Sequence, residues 1–194
     1  MSSTKTSSIF KSFIVIPMIA TSLSLSAFTT GVDQFVAAKA DDQALSAEEQ
    51  TLQKEREEKA TKIDAYYGRH DLPLTGYGMA MVLAGEKYGV DPFLLAGLAM
   101  RESTGGKRIP KGSYNAFGWG NVKFDSFDHA IDTVAKNLGG HNEKTARYYK
   151  GKNLRGILVT YNPPSVVAEY AEQVMGIMRK IEAETGVKQG EHND

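Results

Sequence analysis

The stretch Asp91-Pro92-Phe93-Leu94-Leu95-Ala96-Gly97-Leu98-Ala99-Met100-Arg101-Glu102-Ser103-Thr104-Gly105-Gly106 decides the fold. Asp91 can accept a hydrogen bond from an unpaired N–H at a helix start, and Pro92 fits the first helical position, where no N–H is needed. Phe93 to Met100 is apolar nearly all round, which predicts a helix buried in a core. Gly105 and Gly106 end it. Glu102 is then carried on the last turn of a buried helix.

Outward from this segment the pattern stays helical. Upstream, Pro73 and Gly76 punctuate the chain, and a helix is predicted from Gly78 to Tyr88 with Met79, Val82, Leu83 and Ala84 apolar and Gly89 as its stop. Downstream, Gly112 to Gly120 reads as a loop of small and aromatic residues. Asp125 or Ser126 then caps a helix in which Phe127, Ala130, Ile131, Val134, Ala135 and Leu138 follow helical spacing. Gly139-Gly140 ends it. A shorter helical piece through Leu154, Ile157 and Leu158 leads to Tyr161, and Asn162-Pro163-Pro164 breaks the chain. Ser165 is the expected cap of a last helix bearing Val167, Tyr170, Val174, Ile177, Met178 and Ile181. No strand-like alternation stands out, so the class is mainly α, with room for one short β-hairpin between Trp119 and Phe124.

The N-terminus reads as an address. Lys5 and Lys11 precede an uncharged apolar stretch from Phe13 to Phe28, and no charge follows until Asp33. That is the pattern of an export signal, with Ala38-Lys39-Ala40 as a small-x-small cleavage site. An uncleaved membrane anchor is the alternative. Both place the remainder outside the cytoplasm, secreted or held at the cell envelope, with membrane contact through this segment alone. The expected division is 1–40 signal or anchor, 41–62 polar helical spacer, 63–185 compact domain and 186–194 polar tail. Leu45 and Leu52 stand seven apart, but Lys59 takes the next heptad position, so the spacer reads as a solvated helix.

The bulk properties narrow the function. The chain has 194 residues, 41% of them hydrophobic, and 23 cationic against 23 acidic residues. A net charge of zero argues against a dedicated nucleic-acid binder but leaves room for a locally basic groove. With no cysteine, thiolate nucleophiles and thiolate metal sites are excluded. His70, His129, His141 and His192 are scattered without metal-ligand spacing, so neither a metal nor a cofactor is expected. His129 falls on the polar side of its helix and reads as surface.

The chemistry centres on Glu102. Burial disfavours the ionised form of a carboxyl group, and a carboxylic acid that keeps its proton can donate it to a glycosidic oxygen. A surface ion pair with Arg101, Lys107 or Arg108 is the bland alternative. The loop weighs against it: Tyr114, Phe117, Trp119 and Tyr161 offer flat apolar faces suited to sugar rings, and Asn115 and Asn162 offer amides for acetamido and hydroxyl groups. Core packing explains Phe117 better. No His–acid pair accompanies Ser103, so it is no nucleophile.

The stretches Ala99-Met100-Arg101-Glu102-Ser103-Thr104-Gly105-Gly106, Asn115-Ala116-Phe117-Gly118-Trp119-Gly120 and Phe124-Asp125-Ser126-Phe127-Asp128-His129-Ala130-Ile131, in that order, resemble the lysozyme-like superfamily. The likeness is to its bacterial glucosaminidase and lytic-transglycosylase branches, which cut peptidoglycan. Thr160-Tyr161-Asn162-Pro163-Pro164, with Tyr170 beyond it, is similar to their tyrosine-bearing segment. The resemblance spans roughly residues 63 to 182. It implies a lysozyme-like helical domain that acts, as a monomer, on the β-1,4 backbone of alternating MurNAc and GlcNAc. It implies Glu102 as general acid and Tyr161 as an aid at the reacting sugar. Ser103, Tyr114, Asn115, Phe117, Trp119, Asn162 and Tyr170 are then candidate substrate contacts.

Glycosidases usually need two carboxylates. Asp125, Asp128 and Glu143 are candidate partners, though Asp125 and Asp128 equally suit a helix start. Branches of the superfamily work with one glutamate. The chain lacks a Gly-Leu-Met-Gln segment after Glu102, a common transglycosylase feature, so the product type stays open. Two other classes remain: an inactive glycan-binding or envelope-organising relative, and an interaction module on a helical stalk.

Overall fold

The computed structural model describes residues 31 to 185, and the side chains of residues 46 to 185. Among the described residues it is built from helices, with no strand: α1 (Gly31–Arg69), α2 (Gly78–Tyr88), α3 (Pro92–Ser103), α4 (Phe127–Leu138), α5 (Ala146–Tyr149), α6 (Leu154–Tyr161) and α7 (Tyr170–Glu182). The mainly α class is therefore observed.

The chain divides into residues 1–44 and a compact unit from Leu45 onward. The export signal expected over 1–40 lies largely outside the described residues, as does the tail from 186. Ala38 to Ala40 fall within the backbone of α1. Among the described residues no helix is long and apolar enough to cross a membrane.

α3 is the central helix of the compact unit. It packs against α7 and α2; α2 packs on α4, and α6 on α7. Asp91 caps α3 as the sequence predicts, its carboxylate accepting from Phe93 N at 2.8 Å. Every residue from Phe93 to Ala99 is buried. Gly97 is where α7 comes closest, since a Cβ built there would lie 2.9 Å from Met178 Cγ and 3.3 Å from Val174 Cγ1. The helix does not end on the glycines. Thr104 takes the left-handed conformation first (φ 55°), its N–H bonding back to Met100 O at 3.0 Å.

The spacer and the domain share one helix. Side chains from Ser46 to Lys59 are exposed or half-buried, and the core begins at Ala60 and Ile63. Tyr67 is fully buried and donates to Ala96 O on α3 at 2.7 Å. Asp64 accepts from Gly76 N and Gly78 N at 2.8 and 2.9 Å, fixing the turn into α2.

α2 has its expected bounds, but its inward face is shifted. Met81, Val82, Ala84 and Tyr88 are buried, whereas Leu83 is 48% exposed. α4 follows its pattern throughout: all six predicted apolar positions are buried, and Ser126 caps it by accepting from His129 N at 3.1 Å. His129 is exposed. α6 begins at Asn153, whose side chain accepts from Gly156 N at 2.9 Å.

Ser165 does not cap the last helix. Residues 163 to 169 form turns, with Val166 N and Val167 N both bonded to Pro163 O, and α7 begins at Tyr170 after Glu169 (φ 61°). Pro163 O takes both N–H groups in a separate turn, and the left-handed Glu169 breaks the helical run, so α7 starts only after it.

The hairpin is also absent. Phe124 N bonds Ser113 O at 2.8 Å, which ties the loop ends. In place of a strand ladder, the Asn115 side chain serves the carbonyls between them.

Candidate active site

Glu102 sits on the last turn of α3, and its two carboxyl oxygens meet different surroundings. Oε1 accepts the hydroxyl proton of Tyr170, the first residue of α7. Oε2 faces Gly118, where a Cβ would come within 2.8 Å of it. Gly118 also has φ +60°, so glycine is required there both by conformation and by the closeness of the acid. Glu102 and Gly118 together line a cavity of about 290 Å³ that continues along Ser113, Asn121, Arg108 and Lys123. Glu102 is its one acidic lining residue among the described residues.

Tyr170 links the acid to a cluster of aromatic rings from three helices and the loop. Tyr161 and Tyr170 lie nearly parallel, with an 11° interplanar angle and centroids 6.1 Å apart. Trp119 is tilted against Tyr161 at 5.7 Å and against Tyr149 at 6.3 Å. The Arg101 guanidinium covers the Tyr170 ring at 5.5 Å and bonds Gln173 Oε1 at 2.8 Å.

The Tyr170 phenol is pushed well above its usual range, by burial first and then by its bond to Glu102. Burial, followed by the charge of Glu102, does the same to Tyr161. Both stay protonated and serve as donors.

The structure gives each expected site residue its own partners. Tyr170, expected as a sugar contact, is the tyrosine bonded to Glu102. Tyr161 instead donates to Phe117 O, which pins the backbone just before Gly118. Asn115 is buried; its Oδ1 accepts from Trp119 N at 2.9 Å, and its Nδ2 reaches Val122 O at 3.0 Å and the Trp119 and Gly120 carbonyls at 3.3 Å. Its amide thus holds the loop, and the residue also lines the cavity of Glu102.

Ser103 is likewise committed. It is buried, lies 2.6 Å from Ala116 O and 3.0 Å from Ala99 O, and accepts from Gly106 N at 2.9 Å. The hydroxyl bolts the end of α3 to the loop. Phe117 is fully buried in the core. Tyr114 is 42% exposed and packs edge-on to Phe127 at 5.2 Å, away from the ring cluster. Asn162 Oδ1 is buried with no hydrogen-bond partner among the described residues.

The candidate second acids do not join Glu102. Asp125 is exposed and lies 3.4 Å from His129 Nδ1, and Asp128 and Glu143 are exposed. Tyr149, on the one-turn helix α5, was not singled out from the sequence. Arg147-Tyr148-Tyr149 is too short to show helical period, so only the tertiary fold brings its ring to Trp119.

No family model matches the chain, and no curated protein matches it.

Proposed function

We propose that this chain is an exported glycosidase or lytic transglycosylase that cleaves the β-1,4 MurNAc/GlcNAc backbone of peptidoglycan, with Glu102 as its general acid. The observation that carries the reading is the asymmetric setting of Glu102: one oxygen is held by the hydroxyl of Tyr170, which stacks on Tyr161, and the other lies against Gly118, with which Glu102 lines a cavity. The lysozyme-like likeness of the motifs supports it.

In this reading Tyr170 fixes the rotamer of Glu102 and leaves Oε2 to carry the transferable proton. Oε2 gives that proton to the glycosidic oxygen as the bond from C1 breaks. The carboxylate then takes a proton from the group that attacks C1. If that group is water, the product has a reducing end. If it is the 6-hydroxyl of the same muramic residue, a 1,6-anhydro ring closes and no water is consumed. A single acid in the cleft suits a route that uses the substrate's own groups. The aromatic rings of Trp119 and Tyr161 would stack on sugar faces.

The test is digestion of purified peptidoglycan by the chain and by Glu102→Gln, with mass spectrometry of the released fragments. Glu102-dependent muropeptides are expected. Strand binding without any such product would move the chain to the inactive, glycan-binding class.

A further inference from the structure

The loop that forms the cleft has an unusual charge pattern. Ser103 to Phe124 contains Lys107, Arg108, Lys111 and Lys123 and no acid, although the whole chain is neutral. Several cations elsewhere in the compact unit are paired, Arg56 with Glu86, Arg69 with Glu184, Lys87 with Asp132 and Arg155 with Glu172, but none of these four lines the cavity of Glu102. Arg108 and Lys123 are exposed, both line the cavity that Glu102 opens on, and neither side chain makes an ion pair or hydrogen bond among the described residues. They share this cavity with the Glu102 carboxyl group, so its charged lining among the described residues is one acid and two cations.

We infer that Arg108 and Lys123 form a carboxylate-binding edge of the cleft, selecting glycan strands that carry acidic substituents over neutral strands of the same backbone. The inference rests on the glycan-cleaving reading of this cleft. A neutral chitin-like strand needs no cation, whereas every muramic residue bears a lactyl carboxylate or a peptide stem with its own carboxylates. A guanidinium matches a carboxylate as a two-pronged donor, and an ammonium adds a point charge. Unpaired cations beside a binding cleft also raise the local concentration of an anionic ligand.

The chain has a single tryptophan, Trp119. It lies between Gly118 and Gly120, both of which line the cavity, so its fluorescence reads the loop at this site. The full exported chain is titrated with three soluble ligands of equal sugar number: peptide-bearing strands, strands stripped of peptide but keeping the lactyl carboxylate, and neutral N-acetylglucosamine oligomers. Peptide-bearing strands are expected to bind about tenfold tighter than the neutral oligomers at low salt, the size of two partly exposed charge pairs. The preference shrinks with added salt. It falls to near parity in Arg108→Gln/Lys123→Gln and survives in Arg108→Lys/Lys123→Arg. Stripped strands that bind like intact ones assign the pairs to the lactyl group; stripped strands that bind like neutral oligomers assign them to the stem. Equal affinity for charged and neutral strands, or a preference unchanged in the double Gln variant, overturns the inference. Cleavage without preference leaves the glycosidase reading standing alone, and preference without cleavage does the reverse.

Discussion

Glu102 and Tyr170 are separated by 68 residues in the chain and joined by one hydrogen bond. Tyr170→Phe removes the donor and leaves the ring stacked on Tyr161. Its kcat should drop about 10- to 100-fold, the usual loss when an orienting partner of a reacting group goes. Its melting temperature should move little, and an unchanged kcat would show that Glu102 needs no holder. Gly118→Ala is expected to act through both strain and position. A left-handed alanine costs about 1–2 kcal/mol, and its Cβ would push Glu102 Oε2, for which displacements near 1 Å cost about 10²-fold in rate. Activity should therefore fall much further than stability. Assays of kcat beside thermal melts separate the two. Ser103→Ala should show the opposite balance, with about 1–3 kcal/mol of stability lost because Gly106 N and Ala116 O lose their partner.

At this scale the sequence was legible where a residue's neighbours are local. The place of Glu102 at the end of a buried helix follows from Asp91-Pro92 and the apolar run, although Thr104 ends the helix ahead of the glycines. That Tyr170 bonds Glu102 while Tyr161 bonds Phe117 O was not legible, because it depends on how α6 and α7 pack. The same holds for Asn115 and Ser103. A polar side chain in a glycine-rich loop looks equally fit for a ligand or for its own backbone, and only the folded loop shows which it serves.

Helices with a side-chain cap and a full apolar stripe could be read directly. α4 has both, and its cap and all six core positions stand as the spacing predicts. α7 has the stripe without the cap, so its start was misplaced by several residues. α2 shows a further limit: Leu83 is apolar yet exposed, because the helix turns Met81 and Tyr88 inward. The contact that binds α3 to α7 runs through Gly97. Gly97→Val should destabilise by about 1–3 kcal/mol through overpacking against Met178 and Val174, and it should disturb the Glu102–Tyr170 bond that spans the same two helices. Urea unfolding would measure the first effect and kcat the second. Asp91→Ala should cost about 1 kcal/mol from the lost cap while leaving the product pattern alone.

For the whole molecule, the core carries tyrosines whose protons matter. Tyr67, Tyr161 and Tyr170 are all pushed above the ordinary phenol value of 10.0, mainly by burial. Below about pH 10 folded and unfolded chains both keep these protons, so the contribution is fully present. Above it the unfolded chain releases them first, and stability should fall as pH rises. Urea midpoints should hold to about pH 9 and decline steadily by about pH 11, less steeply in Tyr170→Phe. A flat profile would mean these rings are more open to water than their packing shows.

The central claim is that Glu102 delivers a proton to a glycosidic bond of peptidoglycan. The most direct measurement is mass spectrometry of the fragments released from purified peptidoglycan by the parent chain and by Glu102→Gln, with both proteins shown to be folded. Glycan fragments with either 1,6-anhydro or reducing ends are expected from the parent, with a loss of at least about 10²-fold in their formation by the variant. Identical fragments from both proteins, or none from the parent, would contradict it.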